Sequence, residues 1–90
     1  MGTFDLILTS ETIYNAQHYD DLIEVFDKCL TDDGVVWLAA KVHYFGVGGG
    51  LRQFEASLEK AGKFDFRTVA KIDDGVKREI LEIQRRKETL

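Results

Sequence analysis

Apolar runs alternate with helically spaced apolar positions along the first half of the chain. The runs within residues 4–9 and 35–40 show no regular alternation, which is typical of parallel strands covered on both faces. Residues 17–31 between them carry apolar side chains at helical spacing. The apolar positions of this predicted helix are Leu22, Val25, Phe26, Cys29 and Leu30. The pattern predicts a strand, a helix and a second strand, with the Asp-Asp-Gly sequence at 32–34 ending the helix and turning the chain.

The second half of the chain predicts a helix followed by a hairpin. Residues 51–61 place apolar side chains on one side of a helix, and Gly62 fits the left-handed position just after its end. Residues 64–72 alternate between apolar and polar, as a half-buried strand does, and Asp-Asp-Gly at 73–75 indicates a hairpin turn into a last strand over 76–84. The predicted fold class is therefore α/β, with the order β-α-β-α-β-β and a terminal antiparallel hairpin.

This order leaves one strand edge without a neighbour. A right-handed crossover makes the first two strands parallel and adjacent, and the hairpin then adds its strands on the far side of the second. An apolar, unprotected strand edge promotes pairing with other chains. We therefore expect a second chain, a second copy or an N-terminal half to cover the first strand.

Composition excludes several classes of function. The 90 residues allow one domain at most, and a net charge of −4 with no basic stripe argues against direct nucleic-acid binding. The one cysteine, Cys29, excludes an internal disulfide and is predicted to be buried. No apolar run approaches transmembrane length, and Asp5 interrupts the N-terminal apolar segment that a signal peptide would need. We expect a protein of the cytoplasm or nucleus that does not bind membranes.

Polar side chains follow both predicted parallel strands at the point where each strand ends. Ligands bind in open α/β sheets just beyond the carboxyl ends of the strands, and parallel neighbours end at the same edge. The set after the first strand is Ser10, Glu11, Tyr14 and Asn15. The set after the second strand is Lys41, His43, Tyr44 and Phe45. Neither set contains a second histidine or a cysteine at ligand spacing, so we expect no metal site.

These residues also have simpler structural interpretations. Ser10 would then merely end its strand, Glu11 would be a solvated loop carboxylate, and Tyr14 would pack under the helix. Asn15 is a suitable helix N-cap, and a lone histidine such as His43 is commonly a hydrogen-bonded structural residue. The glycines at 48–50 either precede a helix N-terminus that binds an anion or permit a sharp turn.

Two sequence runs resemble a known family. The acidic-x-x-Tyr sequence Glu11-Thr12-Ile13-Tyr14, placed after a buried strand, is similar to a motif after the fourth strand of the protein-methylating branch of seven-strand S-adenosylmethionine-dependent methyltransferases. The run Ala-Lys-Val-His-Tyr-Phe-Gly-Val-Gly-Gly-Gly at 40–50 narrows the resemblance to the protein-histidine N-methyltransferases. The resemblance covers residues 4–84 and implies a partial Rossmann-like methyltransferase sheet.

The resemblance also implies roles for the polar residues. S-adenosyl-L-methionine would be the cofactor, and the substrate would be a protein histidine, a residue of a ribosomal protein being among the family's substrates. Glu11 and Tyr14 would be catalytic, with Glu11 accepting a hydrogen bond from the substrate imidazole and stabilising the cation formed on methylation. Ser10 would contact the cofactor. The implied substrate-binding residues are Asn15, Lys41, His43, Tyr44 and Phe45.

The chain departs from the family in one large respect. The glycine-rich cofactor loop after the family's first strand, and the acidic residue after its second, have no counterpart here. The glycines at 46–50 follow the second strand of this chain and lack the G-x-G-x-x-G spacing, since position 51 is Leu51. We therefore expect residues 1–90 to form a single partial domain, the C-terminal half of a methyltransferase, that is inactive by itself. The alternative is a non-catalytic interaction module that pairs through its exposed strand edge.

Overall fold

Four strands and two helices make up the computed structural model, which describes residues 2–10, 13, 15–43 and 49–87. The elements in chain order are β1 (Phe4–Ser10), a 3₁₀ turn (Ala16–His18), α1 (Tyr19–Cys29), β2 (Leu30–Lys41), α2 (Leu51–Ala61), β3 (Phe64–Asp73) and β4 (Lys77–Arg85). The predicted α/β class and the element order are confirmed. None of the helices in these ranges is long and apolar enough to cross a membrane.

The strands form one mixed sheet in the order β1-β2-β4-β3. β1 runs parallel to β2, with Ser10 opposite Ala39, and β4 pairs antiparallel with both β2 and β3. The predicted crossover and terminal hairpin are therefore confirmed. Among the described strands β1 has a neighbour on one side only, as the sequence predicted.

The second helix and the hairpin follow the sequence pattern closely. α2 spans the predicted residues, and Gly62 ends it in the left-handed region with a φ of 73°. Gly75 has a φ of 102° in the hairpin turn, where its N–H donates to Asp73 Oδ1. Positive φ favours glycine at both positions because a residue with a Cβ is sterically strained there.

The predicted turn at residues 32–34 is wrong, because those residues lie inside β2. Phe4 pairs with Leu30 and Leu6 pairs with Val35, so β2 bulges outward between these two pairs. The Thr31 hydroxyl donates to Asp5 Oδ1 over 2.8 Å across this bulge. α1 consequently ends at Cys29, two residues earlier than predicted, because Leu30 already has an extended backbone.

The buried face of α1 differs in part from the prediction, of which Phe26 and Leu30 are confirmed. Tyr19, Ile23 and Phe26 are buried, whereas Val25 is 50 % exposed and Cys29 is only partly buried. The helix carries two adjacent apolar stripes, and helical spacing alone does not distinguish them. Packing against α2 selects the stripe that includes Tyr19, whose ring meets the ring of Phe54 edge-on at 5.2 Å between centroids.

Both helices pack on the same face of the sheet. That face supplies apolar side chains from the two central strands, and all of them are fully buried with the helix residues in one cluster. The central-strand residues of this cluster are Leu30, Val36, Leu38, Ala40, Leu81 and Ile83, and Phe64 of β3 joins them. The core of the described structure is therefore a two-layer arrangement of helices on a sheet.

The opposite face of the sheet is open in the described structure. Leu8 and Trp37 are paired across β1 and β2 on this face and are 68 % and 45 % exposed. The expectation that both parallel strands are covered on both faces is therefore wrong for the described residues. A shallow groove of about 310 Å³ lies here, lined by Leu8, Thr9, Ser10, Trp37, Ala39 and Ile80.

Candidate functional site

The carboxyl ends of β1 and β2 lie at the same edge of the sheet, as predicted. Ser10 ends β1 opposite Ala39, and β2 continues to Lys41. The Ser10 side chain is exposed, Lys41 is half-buried opposite Arg78 of β4, and His43 is exposed just beyond the strand. Three of the predicted site residues thus lie at one edge, which is the position where ligands bind in open α/β sheets.

Four predicted site residues lie outside the described residues. They are Glu11, Tyr14, Tyr44 and Phe45. The expected proximity of Glu11 and His43 therefore stays a prediction, supported by the parallel pairing of the strands that they follow.

Asn15 acts as the predicted helix cap. Its side-chain oxygen accepts a hydrogen bond from the Gln17 N–H over 3.0 Å, at the start of the 3₁₀ turn that leads into α1. This bond satisfies a backbone donor that the turn itself leaves unpaired. The role of Asn15 in substrate binding stays a prediction.

A buried tyrosine joins the segments that follow the two parallel strands. The Tyr19 hydroxyl donates to the Ile13 carbonyl oxygen over 2.8 Å and accepts from the Gly50 N–H over 2.8 Å. The interpretation of the sequence missed Tyr19, because the helical pattern was assigned to the neighbouring stripe. The spacing of Tyr19, Ile23 and Phe26 at i, i+4 and i+7 is the signal that could have identified it.

Gly50, directly before α2, is held in a close turn. The Leu51 N–H donates to the Val42 carbonyl oxygen over 3.2 Å, and a Cβ added at Gly50 would overlap that same oxygen. The N–H groups of Gly50 and Leu51 therefore have acceptors within the protein. The structure thus favours the sharp turn over anion binding by these two donors.

A partly buried ion pair joins α2 to the sheet beside the end of β2. Glu79 is 6 % exposed and lies opposite Ala40. Its two carboxylate oxygens accept hydrogen bonds from Arg52 of α2, each over 2.7 Å, and one also accepts from the Thr68 hydroxyl. The hydrogen bond to Glu79 raises the pKa of Arg52. The start of α2 is therefore fixed to the sheet close to the candidate site.

Comparison with known proteins identifies proteins that are similar in sequence to this chain. No protein-family model matches the chain. Histidine protein methyltransferase 1 homolog of Mus musculus is 51 % identical over 80 residues, and its namesake in Dictyostelium discoideum is 43 % identical over 82 residues. This chain is similar in sequence to histidine protein methyltransferases. The matches cover 89 % of the chain but 22 % and 26 % of those two relatives, so the chain corresponds to about a quarter of their length or less.

The relationship confirms the resemblance found in the sequence runs. The similarity to the histidine protein methyltransferases extends through most of the chain and is not limited to the motif after β1. Among the residues that the structure describes, no three His, Cys, Asp or Glu side chains are grouped closely enough to hold a metal ion.

Proposed function

We propose that this chain forms the substrate side of an S-adenosylmethionine-dependent protein-histidine N-methyltransferase. The observation that carries the proposal is the identity of 43–51 % over 89 % of the chain to histidine protein methyltransferases. The parallel ends of β1 and β2 support it, because they bring the predicted site segments to one edge of the sheet. We further propose an intracellular location and a protein substrate, such as a ribosomal protein.

The chain's residues would bind and orient the substrate histidine. S-adenosylmethionine, when bound, supplies the electrophilic methyl group. Glu11 would accept a hydrogen bond from the protonated ring nitrogen of the substrate histidine. The other ring nitrogen then keeps its lone pair free to react. Tyr14 would form a wall of the pocket that excludes water. The residues proposed to hold the peptide around the histidine are Asn15, Lys41, His43, Tyr44 and Phe45.

In this proposal, the groove at the end of β1 would contact one side of the cofactor. The groove at the end of β1 is lined by Thr9 and Ser10 together with apolar residues, and no charged residue lines it. Such a surface suits an uncharged part of S-adenosylmethionine, and Ser10 would be its polar contact. The charged amino-acid end of the cofactor needs partners from outside this lining, which agrees with the missing glycine-rich loop.

Methyl transfer by a chimeric protein tests this proposal. The mouse relative would be produced with this chain in place of its matching segment, and transfer of labelled methyl groups from S-adenosylmethionine to protein histidine would be measured. We expect the chimera to be active. Glu11→Gln should lower kcat by about 10²-fold or more, because the amide lacks the charge that stabilises the methylated imidazolium.

A matched substitution on α2 controls for the loss of one negative charge in Glu11→Gln. Glu59→Gln removes the same charge from an exposed position on α2 and should leave the rate unchanged. An inactive chimera that is folded and binds S-adenosylmethionine would refute the proposed function. Unchanged turnover in Glu11→Gln would remove Glu11 from the mechanism while leaving the function in place.

The open surface favours a second candidate function, that of an interaction module. β1 has one neighbour among the described strands, and a groove of about 310 Å³ lined by Phe4, Leu6, Ile7, Val25 and Cys29 runs along its outer side. Unpaired strand edges and contiguous apolar surface are typical of protein-binding sites. In this alternative the chain would pair with another copy or a partner through β1 without catalysis.

A further inference from the structure

The Tyr19 side chain has a bonding pattern that core packing does not require. Tyr19 is 2 % exposed, and its ring contacts the Phe54 ring edge-on between α1 and α2. This packing contact involves the ring and not the hydroxyl. A phenylalanine would make the same ring contact. The hydroxyl nevertheless bonds two backbone groups that are far apart in sequence, at Ile13 and Gly50.

These two backbone groups belong to the segments that carry the candidate site. Ile13 follows β1 and lies within the acidic-x-x-Tyr sequence, while Gly50 ends the segment that follows β2. Ile13 is itself fully buried, so its carbonyl is fixed in the core. The Tyr19 hydroxyl is therefore a direct bridge between the two segments.

The far side of the bridge is equally well fixed. Val42 and Leu51 are joined by a backbone hydrogen bond of 3.2 Å, which closes the base of the segment between β2 and α2. Gly50 lies against the Val42 carbonyl too closely for any side chain. The hydroxyl of Tyr19 thus holds a closed loop base, and not a freely moving glycine, at a set distance from Ile13.

We propose that Tyr19 is a positioning residue that sets the separation of the segments after β1 and β2. This inference rests on the proposed function, in which the two segments hold the substrate histidine between them. Because Tyr19 is buried, its proposed role is exerted through the backbone at Ile13 and Gly50 and not by direct contact with substrate or cofactor. Small displacements of reacting groups reduce rates strongly, so a single bridging hydroxyl in the core suffices for this role.

Hydrogen exchange on the 90-residue chain tests the bridge itself. Tyr19→Phe retains the ring and removes the hydroxyl. The Gly50 amide should exchange about five- to tenfold faster relative to the amides of Val36 and Leu81, the factor expected when one ordinary hydrogen bond is lost. Equal acceleration at all three amides, or none at Gly50, would overturn the proposal.

Kinetics of the chimera then test the positioning role. Thr68→Val is the matched control, since it removes a partly buried hydroxyl that bonds Glu79, away from the bridge. We expect Tyr19→Phe to lower kcat by about tenfold or more while the Kd for S-adenosylmethionine stays unchanged. A rate equal to that of Thr68→Val would overturn the positioning role but not the function. A folded wild-type chimera that binds S-adenosylmethionine but is inactive would refute the function and the positioning role with it, whereas the exchange experiment would still decide whether the bridge exists.

Discussion

At the scale of single residues, burial determines how much an ion pair contributes to the free energy of unfolding. Glu79 is almost fully buried and receives two hydrogen bonds from Arg52, whose own side chain is 51 % exposed. Removing one member of such a pair leaves a charge that water solvates poorly. Arg52→Gln should therefore lower the free energy of unfolding by about 1–2 kcal/mol, after allowance for the solvent that reaches the guanidinium. Urea unfolding followed by circular dichroism measures this loss.

Arg67 offers a control for this prediction. Arg67 is 73 % exposed and pairs with Glu82 over 2.9 Å, but Glu82 also accepts a hydrogen bond from the Trp37 indole. Glu82 therefore keeps a partner when Arg67 is replaced. Arg67→Gln should cost clearly less stability than Arg52→Gln, and equal losses would show that the burial of Glu79 has no special effect.

At the scale of elements, the end of α1 is fixed by a residue from β4. Arg85 donates to the backbone carbonyl oxygens of Asp27 and Leu30 and to Asp27 Oδ1, each over 2.6 Å. The last carbonyls of a helix lack partners within the helix, and a cation there also interacts favourably with the helix dipole. Arg85 therefore supplies a C-terminal cap that the sequence of the helix itself does not contain.

This cap makes stability depend on pH. The hydrogen bond from Arg85, followed by that from Lys63, lowers the pKa of Asp27 below its ordinary value of 3.8. A carboxylate with a lowered folded pKa stabilises the protein above its unfolded pKa and loses this contribution as pH falls through the folded value. Asp27→Asn should cost about 1–2 kcal/mol near neutral pH, and the difference from wild type should shrink at pH below about 4.

Thermal unfolding across a pH series measures this effect. Asp32→Asn, at an exposed aspartate, is the control and should follow the wild-type pH profile closely. A constant difference between Asp27→Asn and wild type down to the lowest pH would contradict the assigned role of the ion pair.

The two helices show why element bounds were predicted unequally well. α2 begins at a glycine turn and ends at Gly62, so local signals in the sequence define both of its ends. α1 ends where Arg85 reaches its carbonyls from a strand more than fifty residues later, and the Asp-Asp-Gly sequence beyond it enters a bulge of β2. No local pattern reports a cap that comes from a distant strand.

At the scale of the whole molecule, the open face of the sheet is the feature that predicts self-association. Leu8 and Trp37 expose apolar surface beside the edge of β1 with which no described strand pairs. We expect the isolated chain to self-associate, because covering this surface removes apolar area from water. Leu8→Lys should shift the chain toward the monomer, as light scattering coupled to size-exclusion chromatography would show.

Val76→Lys is the matched control for self-association. Val76 is 42 % exposed in the hairpin turn, away from the open face, so its replacement should leave the association unchanged. A monodisperse wild-type monomer at the highest attainable concentration would contradict pairing through β1. It would leave the proposed catalytic function intact, since another segment of a complete enzyme could cover the same surface.

The sequence by itself determined the fold class, the parallel pairing of β1 and β2 with a hairpin beyond β2, α2 and the resemblance to histidine methyltransferases, whereas the place of β4 between β2 and β3 came from the structure. Periodicity, glycine positions and crossover handedness are local or general constraints, so they can be identified along the chain. Only the tertiary structure selected the buried stripe of α1, ended that helix early and joined Tyr19 to Ile13 and Gly50. Those features depend on contacts between residues distant in sequence, whose partners become neighbours only after the sheet and helices have packed.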